Sequence, residues 1–278
     1  MPEIPVNVPQ RNIPEISVIP REQLQMLARY NIELVVDQSL SMRQRDCPGD
    51  LSRWEWCGTQ AADLARALAP YAREGITITT FAHDHQVYPH SSPQRIVDIF
   101  ANPHFQLGTY LMEALTDRFN NYFATRGPGT KPLLIAVITD GVPAPIPEPE
   151  LVKMQLVNAT KLMNDPREIT VAFLQVGGRD RFGRAYLADL DSNLVSAGAK
   201  YDFVHTKTFE NLQQVGIGQA LADSISESLS FSKPVQQPVP MPPRRQGPFK
   251  RMNRRRQNNG FQNNGFQNNQ RMAQFNNF

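Results

Sequence analysis

Three apolar runs constrain this chain more than any other feature: NIELVVD at 31–37, PLLIAVITD at 132–140 and EITVAFLQVG at 168–177. Each is nearly continuous in apolar residues rather than alternating, which marks strands buried on both faces of a sheet. Segments of helical period lie between them. One covers about 54–73, with apolar residues at 57, 61, 64, 68 and 71 on one face; 108–124, 148–164, 181–197 and 209–231 follow. Short helices are expected at 21–30 and 92–101. GITITTFAH (75–83), VYPH (87–90) and KYDFVH (200–205) read as three more strands, the first two paired as an edge hairpin. Strands alternating with helices give an α/β fold: a Rossmann-like, doubly wound, mostly parallel six-stranded sheet with one antiparallel edge strand. Ligands of such sheets sit beyond the carboxyl ends of the strands. Here those ends are Asp37, His83 and Asp140.

The two termini read differently from the body. Prolines at 2, 5, 9, 14 and 20 remove donors and restrict their predecessors, so residues 1–27 read as an extended arm and a short helix. Residues 28–231 hold the whole strand–helix alternation. After 232 the pattern stops, and QNNGF occurs at 257–261 and again at 262–266. Such Asn/Gln-rich sequence buries too little apolar surface to offset its chain entropy, and 232–278 reads as a disordered tail. The net charge of +3 conceals an asymmetry. Nine of the 29 basic residues lie from Lys233 onward, where there is no acid, so the other 20 face all 26 acidic residues.

Several classes are disfavoured by what the chain carries. Its longest apolar runs are far too short for a membrane span. The first residues lack a basic segment followed by an apolar one, so a soluble, cytoplasmic protein is expected. Only two cysteines occur, Cys47 and Cys57, too few for a four-ligand zinc site, and they read as reduced thiols in a loop. GGRDRFG (177–183) follows a strand but lacks dinucleotide-loop order and a phosphate-binding lysine. His83-Asp84-His85 reads as an exposed turn, and Trp54 and Trp56 as packing residues.

The chemistry concentrates at two strand ends, VVDQSLS and VITDG. Alternate side chains of an extended segment face one side, so Asp37, Ser39 and Ser41 converge, and Asp140 ends a strand of similar character. Two carboxylates with two hydroxyls are hard oxygen donors suited to Mg²⁺. The alternative is that the acids cap helices and the serines satisfy loop amides.

At these residues the chain resembles the von Willebrand factor A (vWA) domain family, over roughly residues 28–231. That family's metal-ion-dependent adhesion site (MIDAS) uses D-x-S-x-S after the first strand, a Thr in a middle loop and an Asp after the fourth strand. Here these correspond to Asp37-Gln-Ser39-Leu-Ser41, Thr109 in LGTYLMEAL and Asp140. Phe81 to Val87 is similar to the family's second-strand hairpin. The resemblance implies Mg²⁺, with Mn²⁺ or Ca²⁺ as substitutes, bound by Ser39, Ser41 and Thr109. Asp37 and Asp140 would act mainly through water, and a partner protein's Asp or Glu would fill the last position. One departure is the long insertion CPGDLSRWEWC beside the site, which would shape partner choice or cover the metal.

A second function is expected of the tail. Arg244, Arg245, Lys250, Arg251, Arg254, Arg255 and Arg256 form a cluster suited to phosphate backbones, with phenylalanines that stack on bases. Self-association of the same segment is the alternative. The expectation is a non-enzymatic interaction module. An RNA-binding protein with the body as scaffold is the competing class, and a metal-dependent hydrolase the third.

Overall fold

A computed structural model describes residues 19–178 and 180–231. The expectations for the arm before Ile19 and for the tail lie outside the described residues. The sheet contains β1 (Asn31–Asp37), β2 (Ile76–Phe81), β3 (His85–Ser91), β4 (Leu133–Thr139), β5 (Ile169–Gln175) and β6 (Val204–Lys207). Its order is β3-β2-β1-β4-β5-β6, parallel throughout except for the β2–β3 hairpin at one edge. This is the doubly wound architecture expected from the alternation. The order reverses between β1 and β4, which pair directly, so the switch point opens above Asp37 and Asp140.

The helices are α1 (Arg21–Leu27), α2 (Arg53–Leu68), α3 (Pro93–Ala101), α4 (Leu111–Thr125), α5 (Glu148–Leu162), α6 (Arg181–Asn193) and α7 (Phe209–Phe231). They cover both sheet faces. Ile32, Leu34 and Val36 pack with α1, α2, α3 and α7, while Val35, Ile135 and Val137 pack with α4, α5 and α6. Every residue of β4 and β5 is buried, which explains why their sequences run apolar without alternation. Among the described residues no helix is long and apolar enough to cross a membrane.

Two elements depart from expectation for local reasons. β6 starts at Val204, later than the KYDFVH pattern suggests. Lys200 donates its backbone N–H to Thr160 Oγ1 (2.9 Å) and its Nζ to the Met163 carbonyl (3.0 Å), so this approach segment is held by the end of α5. α7 is broken at Gly216, whose φ of 75° and ψ of 168° leave the helical region. That conformation suits glycine, and the Ile217 N–H beyond the break donates to Gln60 Oε1 of α2 at 3.2 Å.

The α2–α3 contact depends on a glycine. A Cβ on Gly58 would lie 2.7 Å from Phe100 Cβ and Cγ. Phe100 cannot retreat, because Trp54 stacks on it at 4.4 Å and donates its indole N–H to the Phe100 carbonyl at 2.9 Å. Gly58→Ala is therefore expected to destabilise the protein by about 1–2 kcal/mol, overpacking outweighing the gain in helix propensity. Denaturant unfolding checks this; an equal or higher midpoint would show that the contact gives way.

Candidate metal centre

β1 ends at Asp37, which is fully buried. Both of its oxygens are engaged. The Ser39 backbone N–H donates to Oδ1 (2.8 Å), and Thr139 Oγ1, at the end of β4, donates to Oδ2 (2.8 Å). The first bond folds the chain back over the strand end, with Ser39 buried and Ser41 exposed beside it. Ser39 Oγ and Ser41 Oγ lie 2.9 Å apart, and Ser41 Oγ donates to Asp140 Oδ1 at 3.0 Å. Asp37, Ser39, Ser41 and Asp140, drawn from positions about a hundred residues apart, thus form one hydrogen-bonded cluster.

Thr109 stands in the adjoining loop. Its backbone pairs with Ala144, N–H to carbonyl at 2.9 Å and the reverse at 3.2 Å, and the Gln106 N–H donates to the Gln38 carbonyl at 3.3 Å. Glu148 Oε1 accepts the Met112 N–H at 2.6 Å, tying the start of α4 to the start of α5. The loops are therefore brought together. The Thr109 hydroxyl itself makes no hydrogen bond to the other four among the described residues.

Arg53 is the residue that sequence reasoning missed. The insertion between the cysteines turns back on itself, with the Cys47 N–H bonded to the Leu51 carbonyl at 3.2 Å. α2 then starts in a capping box: Ser52 Oγ accepts the Glu55 N–H (3.1 Å), and Glu55 Oε2 accepts the Ser52 N–H (2.7 Å). This fixes Arg53 at the first helical position, facing the cluster. Its Nη1 donates to Asp140 Oδ2 at 2.6 Å, while Nε and Nη2 clamp Asp46 at 2.9 and 2.6 Å. A Cβ on Gly177, after β5, would collide with this guanidinium, so the bare backbone there makes room for it. Burial opposes the Arg53 charge, but the bonds to Asp46 and Asp140 outweigh it and hold its pKa above the ordinary value. The S-x-x-E capping box was the available signal that a helix starts here, facing the site.

The electrostatics favour a further cation. Burial first, and the Asp140 charge second, push Asp37 up to about 7 against the pull of its hydrogen bonds. With Asp37 ionised, the carboxylates of Asp37, Asp46 and Asp140 against one guanidinium carry a formal charge of −2, and a divalent ion that neutralises it would favour that ionised form. The spacing also fits. Octahedral metal–oxygen bonds of about 2.1 Å place adjacent oxygens about 3 Å apart, close to the 2.9 Å between the hydroxyls of Ser39 and Ser41. Among the described residues no three His, Cys, Asp or Glu side chains form a metal cluster. The donor set here is different, since hydroxyls supply most of it.

The remaining candidates take structural places. His83 is exposed and meets Tyr110 edge-on at 5.3 Å, and the His83 and Asp84 N–H groups donate to Gln106 Oε1. Trp54 and Trp56 are buried as packing residues. Asp180 of GGRDRFG caps α6 by accepting the Phe182 N–H at 2.9 Å. Cys47 and Cys57 are both free and buried.

No protein-family model matches this sequence, and no curated protein matches it. Solved structures do. An aerotolerance-related membrane protein from Bacteroides fragilis aligns with 71% of this chain and 99% of its own, at 17% identity and a TM-score of 0.48. The vWF domain of the type V pili tip protein Mfa5 from Porphyromonas gingivalis aligns with 72% and 95%, at 12% identity and 0.45. Manganese-loaded Plasmodium vivax TRAP protein aligns with 67% and 71%, at 14% identity and 0.45. The topology itself decides the architecture. With its β3-β2-β1-β4-β5-β6 order and one antiparallel edge strand, this chain has the vWA fold.

Proposed function

We propose that this protein is a non-enzymatic interaction module that captures a carboxylate of a partner protein through Mg²⁺ at a MIDAS. The observation that carries this reading is the hydroxyl–carboxylate cluster of Ser39, Ser41 and Asp140, spaced 2.9 and 3.0 Å at the switch point of a parallel sheet. Ser39, Ser41 and Thr109 would hold the ion, and Mn²⁺ or Ca²⁺ would substitute. When bound, a divalent cation supplies an electrophilic position for one outside carboxylate oxygen. Asp37 orients Ser39 through the backbone N–H bond and, with Asp140, contributes negative charge. Thr139 holds Asp37 in turn, so the sheet fixes the orientation of the donors before any ligand arrives.

The test is direct metal binding. The full-length protein is expected to bind Mn²⁺, read by its free-ion paramagnetic resonance, and Ser41→Ala to weaken that binding at least tenfold. Absence of binding at millimolar Mn²⁺, or full affinity in Ser41→Ala, removes the MIDAS reading.

A second contact belongs to the tail, where seven basic residues between Arg244 and Arg256 stand without an acid. The reading is backbone-directed nucleic-acid binding, with clustering through the Asn/Gln-rich repeats as the competing use. Deleting residues 233–278 is expected to abolish binding of a single-stranded RNA oligonucleotide, which in the full chain weakens steeply with salt. Unchanged binding by the truncated protein would locate the RNA contact in the vWA body.

A further inference from the structure

The most exposed large apolar side chains among the described residues are Ile146 (92%), Phe182 (82%) and Leu107 (75%); the next reach 53%. All three stand where the chain approaches the metal centre. Leu107 follows Gln106, which bridges to Ser39 and donates its N–H to the Gln38 carbonyl. Ile146 lies two residues beyond Ala144, the backbone partner of Thr109. Phe182 donates its N–H to Asp180, and a Cβ on Gly141, next to Asp140, would lie 3.0 Å from the Asp180 carboxylate. Leu40, at 43%, separates the two motif serines. Four separate segments thus bring one large apolar side chain each to the edge of a polar centre. Single apolar residues scattered over a surface need no explanation, but a group gathered round one site marks an interaction surface. Two of them are also held in place. Pro145 and Pro147 restrict the backbone on both sides of Ile146. The Asp180 cap fixes the turn that carries Phe182. Preorganised groups lose little freedom on binding, so their burial contributes more to affinity.

The centre decides what lies between them. Its own carboxylates are bonded within the cluster: Asp37 to the Ser39 N–H and Thr139, Asp140 to Ser41 and Arg53, and Asp46 to Arg53. For a divalent ion held by the hydroxyls, charge complementarity therefore calls for a carboxylate from outside the cluster. The apolar surround adds a second requirement. In an extended segment, the residues two before and two after a given side chain point the same way, about 7 Å from it. A carboxylate that enters the centre from such a segment brings those two side chains down on the surround. Polar groups buried there without partners would weaken binding, and aliphatic ones strengthen it.

We infer that this face docks an extended segment of a partner protein, in which one Asp or Glu enters the metal centre and large aliphatic residues two positions before and after it pack on Leu40, Leu107, Ile146 and Phe182. This assignment rests on the metal reading above and adds to it the residues that select the partner.

The probes are fluorescent peptides with the cores Leu-Thr-Glu-Thr-Leu, Ser-Thr-Glu-Thr-Ser and Thr-Leu-Glu-Leu-Thr, titrated with the full-length protein in Mn²⁺. The first is expected to bind at least tenfold more tightly than the other two, and to lose that binding in EDTA or with Gln in place of Glu. Leu107→Ser with Ile146→Ser is expected to erase the preference while leaving Mn²⁺ affinity unchanged. Leu162→Ser, which removes a 53% exposed leucine at the last residue of α5, is expected to keep it. Equal binding of all three peptides, or a preference that survives Leu107→Ser with Ile146→Ser, overturns the docking surface and leaves the metal site standing. Absence of peptide binding at millimolar concentration while Mn²⁺ is bound does the same. Failure to bind Mn²⁺ overturns both readings. Dimers in sedimentation velocity that Leu107→Ser with Ile146→Ser abolishes would assign the face to a second copy and overturn the partner-protein occupant.

Discussion

Arg53→Met is expected to lower the stability of the metal-free protein by about 3–5 kcal/mol, and Mg²⁺ is expected to restore much of that loss. Arg53 joins two carboxylates, and its own side chain is only 8% exposed, as is that of Asp140. Removing one member of a buried charge network leaves the others without compensation, and the cost is of that order. Methionine fills similar volume without a donor, so the change isolates the charge. Asp46 and Asp140 would then face Asp37 with no internal cation. A divalent ion bound to the native state stabilises by mass action, and the freed carboxylates raise its affinity. The thermal shift induced by Mg²⁺ should therefore be larger in Arg53→Met than in the parent. A large loss with no greater response to Mg²⁺ would mean that guanidinium and metal do not share the same negative charge. An unchanged midpoint in EDTA would mean that the Asp46–Arg53–Asp140 bridge contributes nothing to folding.

Arg53 also marks where sequence reasoning stopped. Local spacing was legible: D-x-S-x-S aims its own oxygens, and the Ser39 N–H to Asp37 bond spans only two residues. Asp140 was legible because it ends an apolar run buried on both faces. Arg53 was not, because its partners lie 7 and 87 residues away and arginine ordinarily marks solvent. The same limit applies to α7. Gly216 leaves the helical region there, and the Ile217 N–H beyond it is captured by Gln60 of α2, a partner 157 residues away. β6 was displaced because Lys200, at the start of the expected strand, is bound by the end of α5 rather than by the sheet. Periodicity thus identifies faces. Side-chain bonds between distant segments, which periodicity does not carry, decide where an element begins and which charge meets which.

Glu33→Gln is expected to remove one contribution, that of Glu33, to a fall in stability between about pH 4.5 and pH 7. Glu33 lies on β1 toward the opposite end from the metal centre, between Ile32 and Leu34. It is 7% exposed, its Oε2 has no hydrogen-bond partner, and the nearest cation, Arg118 Nη1, stands 3.8 Å away. Arg118 is itself engaged by Asp117. Burial pushes the Glu33 carboxyl up to about 7; Arg118 opposes this and Asp117 adds to it. The folded-state value is thus above the ordinary 4.5. Between the two the native protein holds a proton that the unfolded chain has released, so stability declines as pH rises. Each unit costs about 1.4 kcal/mol, and the window amounts to about 3 kcal/mol. Below pH 4.5 both states are protonated and the penalty is absent. Glutamine keeps the shape of the neutral acid and does not titrate, so the difference between parent and variant should grow from near zero at pH 4.5 to about 3 kcal/mol at pH 7.5. Denaturant unfolding at several pH values measures that difference directly, and it cancels His205, whose pKa burial lowers and whose slope runs the other way. A difference that stays constant across the range would mean that Glu33 is ionised in the folded state throughout, with Arg118 outweighing burial.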